Sequence, residues 1–183
     1  MKDRKYKFTD ETKEVYGTTL HRIVALKDFA GVENGDKGGW IENENNLSQY
    51  GNAWVYGDAM VYGNAQVYGK AEVFGNAEVY SDARVFGNAW VYDNARVFGR
   101  AEVFGIAMVY DNAGYIVFKN FWSSGRYFTW TRSNNMWRVG CFYGTGEELI
   151  AKAYKDSEKS GREYERVVRY VESILADEQT ENK

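Results

Sequence analysis

From Gly51 the chain repeats a pattern of small, aliphatic and aromatic residues with a period of six: GNAWVY GDAMVY GNAQVY GKAEVF GNAEVY SDARVF GNAWVY DNARVF GRAEVF GIAMVY, then a decaying DNAGYI. Eleven hexapeptides run without insertion from Gly51 to Ile116, with Ala at every sixth position from Ala53 to Ala113 and Val two places later from Val55 to Val109. Residues two apart on a strand share a face, so Ala and Val point the same way. A period of six makes no stripe on an α-helix, where these positions would spiral around the axis. A Gly-Asn or Gly-Asp corner every six residues argues equally against a flat sheet. The remaining solution is a triangular coil of about 18 residues with three short strands and three corners, each coil pairing with the next through parallel ladders about 4.8 Å apart. The repeat then makes about 3.7 coils, a prism roughly 18 Å tall, with Ala where the interior is narrow and Val where it widens. The corner residues Asn52, Asp58, Asn64, Asn76, Asp82, Asn88, Asn94 and Asn112 are predicted to accept the left-handed conformation and to hydrogen-bond up the column.

Columns eighteen residues apart predict the outer surface. The aromatic after each Val gives three ladders: Tyr56, Phe74, Tyr92, Tyr110; Tyr62, Tyr80, Phe98; and Tyr68, Phe86, Phe104. Opposite charges meet in the pairs Glu78 with Arg96 and Arg84 with Glu102. The ladders read either as structural stacking or as surfaces covered by another subunit or partner. The ladder Tyr56, Phe74, Tyr92, Tyr110 is taken as the candidate for oligomer contact.

Open edges of a parallel stack need protection, and both ends change composition. Upstream, YKFTDET and TLHRIVAL read as strands about a Tyr16-Gly17 turn, GVENGDKGG as a loop, and NNLSQY as a degenerate rung with Leu47 in the small position and Gln49 in the aliphatic one. Downstream, YIVFKNFW, RYFTWTR and MWRVGCFY predict three antiparallel strands separated by SSG and SNN turns. Thr145 with Glu148 predicts a capping box for a helix from about Glu147 to Asp156. Ser160 with Glu163 predicts another, opening a helix through about Ala176 with Tyr164, Val167, Val168, Val171, Ile174 and Leu175 on one face. DEQTENK reads as a frayed tail. The expected parts are residues 1–50, an N-terminal β cap with the first degenerate rung; 51–116, the parallel β-helix; and 117–183, a three-stranded antiparallel sheet with two helices.

The chain has 183 residues, enough for a sizeable core. Its 23 Lys and Arg against 26 Asp and Glu are interspersed, and a net charge of −3 gives no footprint for duplex nucleic acid. Cys141 is alone, so no internal disulfide forms. MKDRKYKFTD lacks the apolar segment of a signal peptide, and no apolar run reaches the ~20 residues of a membrane span. A soluble intracellular protein is expected. Nineteen glycines with no proline fit many tight corners.

This periodicity resembles that of the left-handed hexapeptide-repeat family, and the left hand of the coil is implied by that resemblance alone. The segment GGWIENENNLSQYGNAWVYG, with the repeats after it, resembles the hexapeptide-repeat proteins carried by bacteriophages and prophages, often labelled polymer-forming; a longer enterobacterial relative enters its repeats in the same way. The resemblance covers roughly residues 15–116 and is specific for fold rather than function. The tail from Phe118 resembles an end module of such phage proteins. A trimer is implied by the resemblance, with a dimer through an end module as the alternative.

Many hexapeptide-repeat proteins are acyltransferases with a histidine base. Here the one histidine, His21, lies in the expected cap, and three histidines for a metal site are absent. Asp93 and Asp111 share a column at positions where other repeats carry Gly, which fits turn chemistry. Gly140, Gly144 and Gly146 do not match a dinucleotide loop, and Cys141 has no evident base. No catalytic residue, metal or cofactor is expected. The candidate partner-binding cluster is Arg126, Tyr127, Trp130, Arg132, Trp137 and Arg138, since arginines beside aromatics bind phosphates, bases or acidic protein faces. The alternative places both tryptophans in the core. The resulting expectation is a non-enzymatic, self-associating phage or prophage accessory protein that binds a host macromolecule or signal, in its most concrete version an antagonist of a bacterial defence system. A structural or assembly protein and a degenerate acyltransferase are the alternatives.

Overall fold

The computed structural model describes residues 4–181. The hexapeptides build a three-sided parallel β-solenoid in which each rung contributes a two-residue strand. The first face stacks β3 (Lys37–Ile41), β5 (Met60–Val61), β8 (Glu78–Val79) and β11 (Arg96–Val97). The second stacks β4 (Trp54–Val55), β7 (Glu72–Val73), β10 (Trp90–Val91) and β13 (Met108–Val109), and the third β6 (Gln66–Val67), β9 (Arg84–Val85) and β12 (Glu102–Val103). Within the repeats partners are eighteen residues apart, as Val55, Val73, Val91 and Val109 show. Ala53 to Ala107 and Val55 to Val109 at six-residue intervals fill the interior and are fully buried. Alternation thus fixes which residues enter the core, and area burial stabilises it by about 25 cal/mol per Å².

Three details differ from the sequence expectation. From Asn52 to Asn94 the left-handed conformation falls on the residue before the corner Asn or Asp: on Gly in most rungs, on Ser81 (φ 60°) and on Asp93 (φ 54°), whereas Asp111 before Asn112 does not adopt it. The corner Asn then turns its side chain along the column, as Asn64 does to Asp82 (3.1 Å) and Asn76 to Asn94 (3.3 Å). Leu47 bridges Val67, so it fills the aliphatic column and not the small one; two extra residues between Leu47 and Ala53 shift the frame. The last hexapeptide leaves the prism, since Ala113 is exposed and Tyr115 opens an antiparallel strand.

At the start, β1 (Tyr6–Val15) and β2 (Thr18–Ala25) form the expected hairpin about Tyr16-Gly17 and continue the first face through β3, which takes up the end of the expected loop. Side chains satisfy carbonyls of the first rungs: Lys5 Nζ donates to Ala53 O (2.7 Å), and Asn46 Nδ2 to Gly63 O (3.0 Å) and Ala65 O (2.9 Å). Lys5 is buried against the first rung, and burial, with repulsion from Lys27, lowers its pKa to about 8.

At the other end, β14 (Tyr115–Lys119), β15 (Tyr127–Thr131), β16 (Met136–Val139) and β17 (Phe142–Gly144) form an antiparallel sheet of four strands. Three were expected; Gly140 at φ 57° folds the third back on itself. Amide donors of the last coil, which elsewhere meet the next rung, are taken by side chains. Arg96 N donates to Asn112 Oδ1 (3.0 Å), Phe98 N to Tyr115 OH (3.2 Å), Glu102 N to Thr129 Oγ1 (2.9 Å) and Met108 N to Ser133 Oγ (2.7 Å). This satisfies an edge that would otherwise invite pairing with another chain.

Helix α1 (Gly146–Asp156) begins on the expected Thr145–Glu148 capping box. Helix α2 (Glu158–Glu181) begins earlier than expected: Ser160 lies inside it and donates its amide to Ser157 Oγ (3.1 Å), so Ser157 does the capping. The segment read as a frayed tail continues α2 as far as residue 181, and residues 182–183 lie outside the described part. Leu149, Ile150, Ala153, Tyr164, Val168 and Val171 pack on Phe128, Trp130, Trp137 and Val139 as a second core. Among the described residues no helix is long and apolar enough to cross a membrane.

Candidate functional site

The three faces of the prism carry different chemistry, and the third is walled on one side by the C-terminal sheet. Between them runs a groove of about 710 Å³. Its floor is built from two adjacent columns of the repeat, Asn64–Asp82–Arg100 and Gln66–Arg84–Glu102, and its wall from Ser124, Gly125, Arg126, Tyr127 and Gly140. The columns follow from the eighteen-residue register, which places outward residues of successive coils side by side.

Charge in the groove is unevenly paired. Arg84 Nη1 reaches Glu102 at 3.5 Å, and Arg138 Nε reaches the same carboxylate at 3.1 Å. Arg100 Nε lies 3.6 Å from Asp82 and its guanidinium 5.3 Å from the Tyr127 ring centre. Arg126 has no carboxylate partner among the described residues and lies against Gly140, where a Cβ would come within 2.9 Å of its Nη1. Glycine there meets two demands at once, the positive φ and the room for Arg126.

The six residues of the expected binding cluster divide among three environments. Arg126 and Tyr127 line the groove. Trp130 and Trp137 are 1% exposed in the second core, which corrects their reading as contact residues. Strand alternation is the cause: Phe128 and Trp130 face the helices while Thr129 turns to the prism. Arg132 is held by both oxygens of Glu178 (2.6 and 3.0 Å) and donates Nε to Ala113 O (3.1 Å); its ion pair lowers the Glu178 pKa. Arg138 sits over the Phe86 and Phe104 rings at 5.4 and 4.8 Å while bonding Glu102, tying the sheet to the prism. Arg132 and Arg138 are thus committed inside the molecule.

The predicted ladders form at the corners. Tyr62–Tyr80, Tyr80–Phe98, Tyr68–Phe86 and Phe74–Tyr92 stack at 4.8–5.2 Å. Tyr92–Tyr110 opens to a tilt of 43° at 5.9 Å, and Tyr56 packs on the core. Glu78 pairs with Arg96 at 3.3 Å as the columns predict, and accepts from Tyr62 OH at 3.0 Å. With burial as the larger cause, that bond raises the Tyr62 pKa. His21 stacks on Phe8 in the cap, 4.9 Å between ring centres. Asp93 holds a left-handed corner and Asp111 Oδ1 accepts from Ala113 N (2.9 Å), as turn residues do. Among the described residues no three His, Cys, Asp or Glu gather as metal ligands.

Fold and rungs together define a β-solenoid protein of the hexapeptide-repeat kind. The repeat family described as the YdcK beta solenoid repeat matches residues 53–69, close to one full coil. The uncharacterized acetyltransferase YdcK of Escherichia coli (strain K12) is 39% identical over 61 residues, covering 29% of this chain and 19% of that protein. The match thus spans about a fifth of the length of that curated relative. This corrects the expectation of a non-enzymatic chain: a protein that shares the repeat carries an acetyltransferase's name.

Proposed function

We propose that this chain is a hexapeptide-repeat protein that holds its ligand in the groove between the third face and the C-terminal sheet, and that the chemistry performed there is acyl transfer. The observation that carries the reading is the groove itself, where charged residues distant in sequence converge on one concave surface. The name of the E. coli relative supports the reaction class. Transfer to an amine or hydroxyl needs a base within hydrogen-bond reach of the acceptor. Asp82, at the mouth beside Asn64 and Arg100, is the carboxylate with the freer position, since Glu102 is shared by two arginines. Acetyl-coenzyme A offered with a panel of amine and hydroxyl acceptors should release free thiol, and Asp82→Asn should slow that release about 100-fold. No release above the protein-free rate with any acceptor would sink the reaction.

A second reading, self-association in a phage or prophage accessory or assembly role, is favoured by the second face. Trp90, Ile106 and Met108 stand there 43, 68 and 41% exposed beside Lys70 and Glu72. Apolar side chains in such a group usually mark a contact surface. The resemblance of the entry segment to phage proteins supports the setting, with a host macromolecule as partner and antagonism of a defence system as its concrete form. Light scattering across micromolar concentrations should give a multiple of the 21.0 kDa chain, and Trp90→Glu should lower it. A monomer at all concentrations would overturn self-association.

A further inference from the structure

We propose that the groove is built to take a doubly charged phosphate group, either a phosphomonoester or a diphosphate. The inference rests on the groove being the ligand site, and it goes further by naming what the ligand must carry.

The reason lies in the local charge balance. The chain as a whole carries −3, yet Arg84, Arg100 and Arg126 line the groove against two carboxylates, Asp82 and Glu102. Arg138 adds a fourth guanidinium on Glu102. Four positive and two negative groups leave an excess near +2 where the protein as a whole is acidic. A ligand bearing two negative charges neutralises that excess, whereas a neutral or cationic ligand leaves it standing.

Geometry favours phosphate over a single carboxylate. Arg84 and Arg100 meet their carboxylates through one nitrogen each, at 3.5 and 3.6 Å, which leaves further N–H donors on both for a ligand. A guanidinium presents five donors in a planar fork that matches tetrahedral phosphate oxygens. Arg126 brings a full set. Beside it the Ser124 hydroxyl lies at the rim, and Gly125, at φ 65° with nothing within 4 Å of a Cβ, keeps the approach open. The Tyr127 ring already has two cations beside it, Arg100 at 5.3 Å and Lys119 at 5.6 Å from its centre, so it serves to steady positive charge at the groove. The donors gathered here therefore suit the phosphate itself.

Isothermal titration with inorganic pyrophosphate in low salt tests this. Saturable binding is expected, weakening as salt rises. Arg100→Ala and Arg126→Ala should each weaken it at least tenfold, while Arg166→Ala on the outer side of α2 should leave it unchanged. Thermal melts of each variant should match the parent, because both groove arginines are exposed. Inorganic phosphate, coenzyme A and its dephosphorylated form separate the sources. Tighter binding of coenzyme A than of pyrophosphate supports the proposal with a phosphate-bearing acyl donor as the source. Comparable binding supports it with free phosphate compounds. No saturable binding of any of these, or binding unchanged in the Arg100→Ala/Arg126→Ala double variant, overturns it. The readout is binding alone, so a protein that binds pyrophosphate yet transfers no acyl group loses the reaction and keeps the site.

Discussion

Replacing Val79 by Asp is expected to leave no folded prism. Val79 is fully buried and stacks between Val61 and Val97 in the first face, with the alanines of its own and neighbouring coils around it. A carboxylate there has no partner and no water. Burying it unpaired costs several kcal/mol even after it takes up a proton, against the 5–15 kcal/mol that typically separates folded from unfolded chains. Each coil also rests on the next, so the damage passes to both neighbours. Circular dichroism and the soluble yield give the readout, with Glu78→Ala as the control. Glu78 is the adjacent residue, but its carboxylate pairs with Arg96 across the outer face, so its loss should cost about 1–2 kcal/mol. A soluble Val79→Asp protein melting with the parent would contradict the inward packing of the Val column.

The second large effect is expected at Trp137. Its ring is buried between sheet and helices, 5.9 Å from Phe118 and 6.0 Å from Phe128. Truncation to Ala removes a large side chain from a packed site and should cost about 3–5 kcal/mol. Arg126→Ala, on the exposed wall of the groove, should stay within about 0.5 kcal/mol. Urea unfolding of the two variants separates core from surface in the C-terminal part. Equal midpoints would mean that Trp137 carries no packing energy and that its burial has been misread.

The contrast between these residues shows what the sequence makes legible. Val79 is readable because the Ala–Val spacing repeats ten times without a gap, and one geometry accommodates it. The aromatic ladders and the Glu78–Arg96 pair follow from the same register. Where the repeat decays, legibility falls. Leu47 matches either interior column when the frame shift is unknown, and DNAGYI keeps the Ala while its backbone already turns toward the sheet. Gly140 reads as one more small residue until its positive φ splits a strand in two. In the C-terminal sheet the alternation was available: Phe128 and Trp130 share one face, so the tryptophans belong with the helices. The groove was half visible. Asp82 with Arg100, and Arg84 with Glu102, are eighteen apart and stack as neighbours. That the Ser124–Tyr127 loop folds over those columns depends on packing between parts distant in sequence, for which local pattern has no signal.

The ends of the solenoid have a bearing on how the chain finds its thread. Rungs so alike permit slippage: a strand displaced by one whole coil would still set Val on Val and Ala on Ala, at little loss to the core. What such a slip cannot reproduce are the terminal contacts. Lys5 and Asn46 fit the carbonyls of Ala53, Gly63 and Ala65, and Asn112, Tyr115, Thr129 and Ser133 fit four particular amides of the last coil. A misthreaded chain would strand buried polar groups at one end or the other, each costing about 1–3 kcal/mol. The two caps therefore act as the marks of a ruler, and the number of coils is set by the residues that close the stack, not by those that fill it.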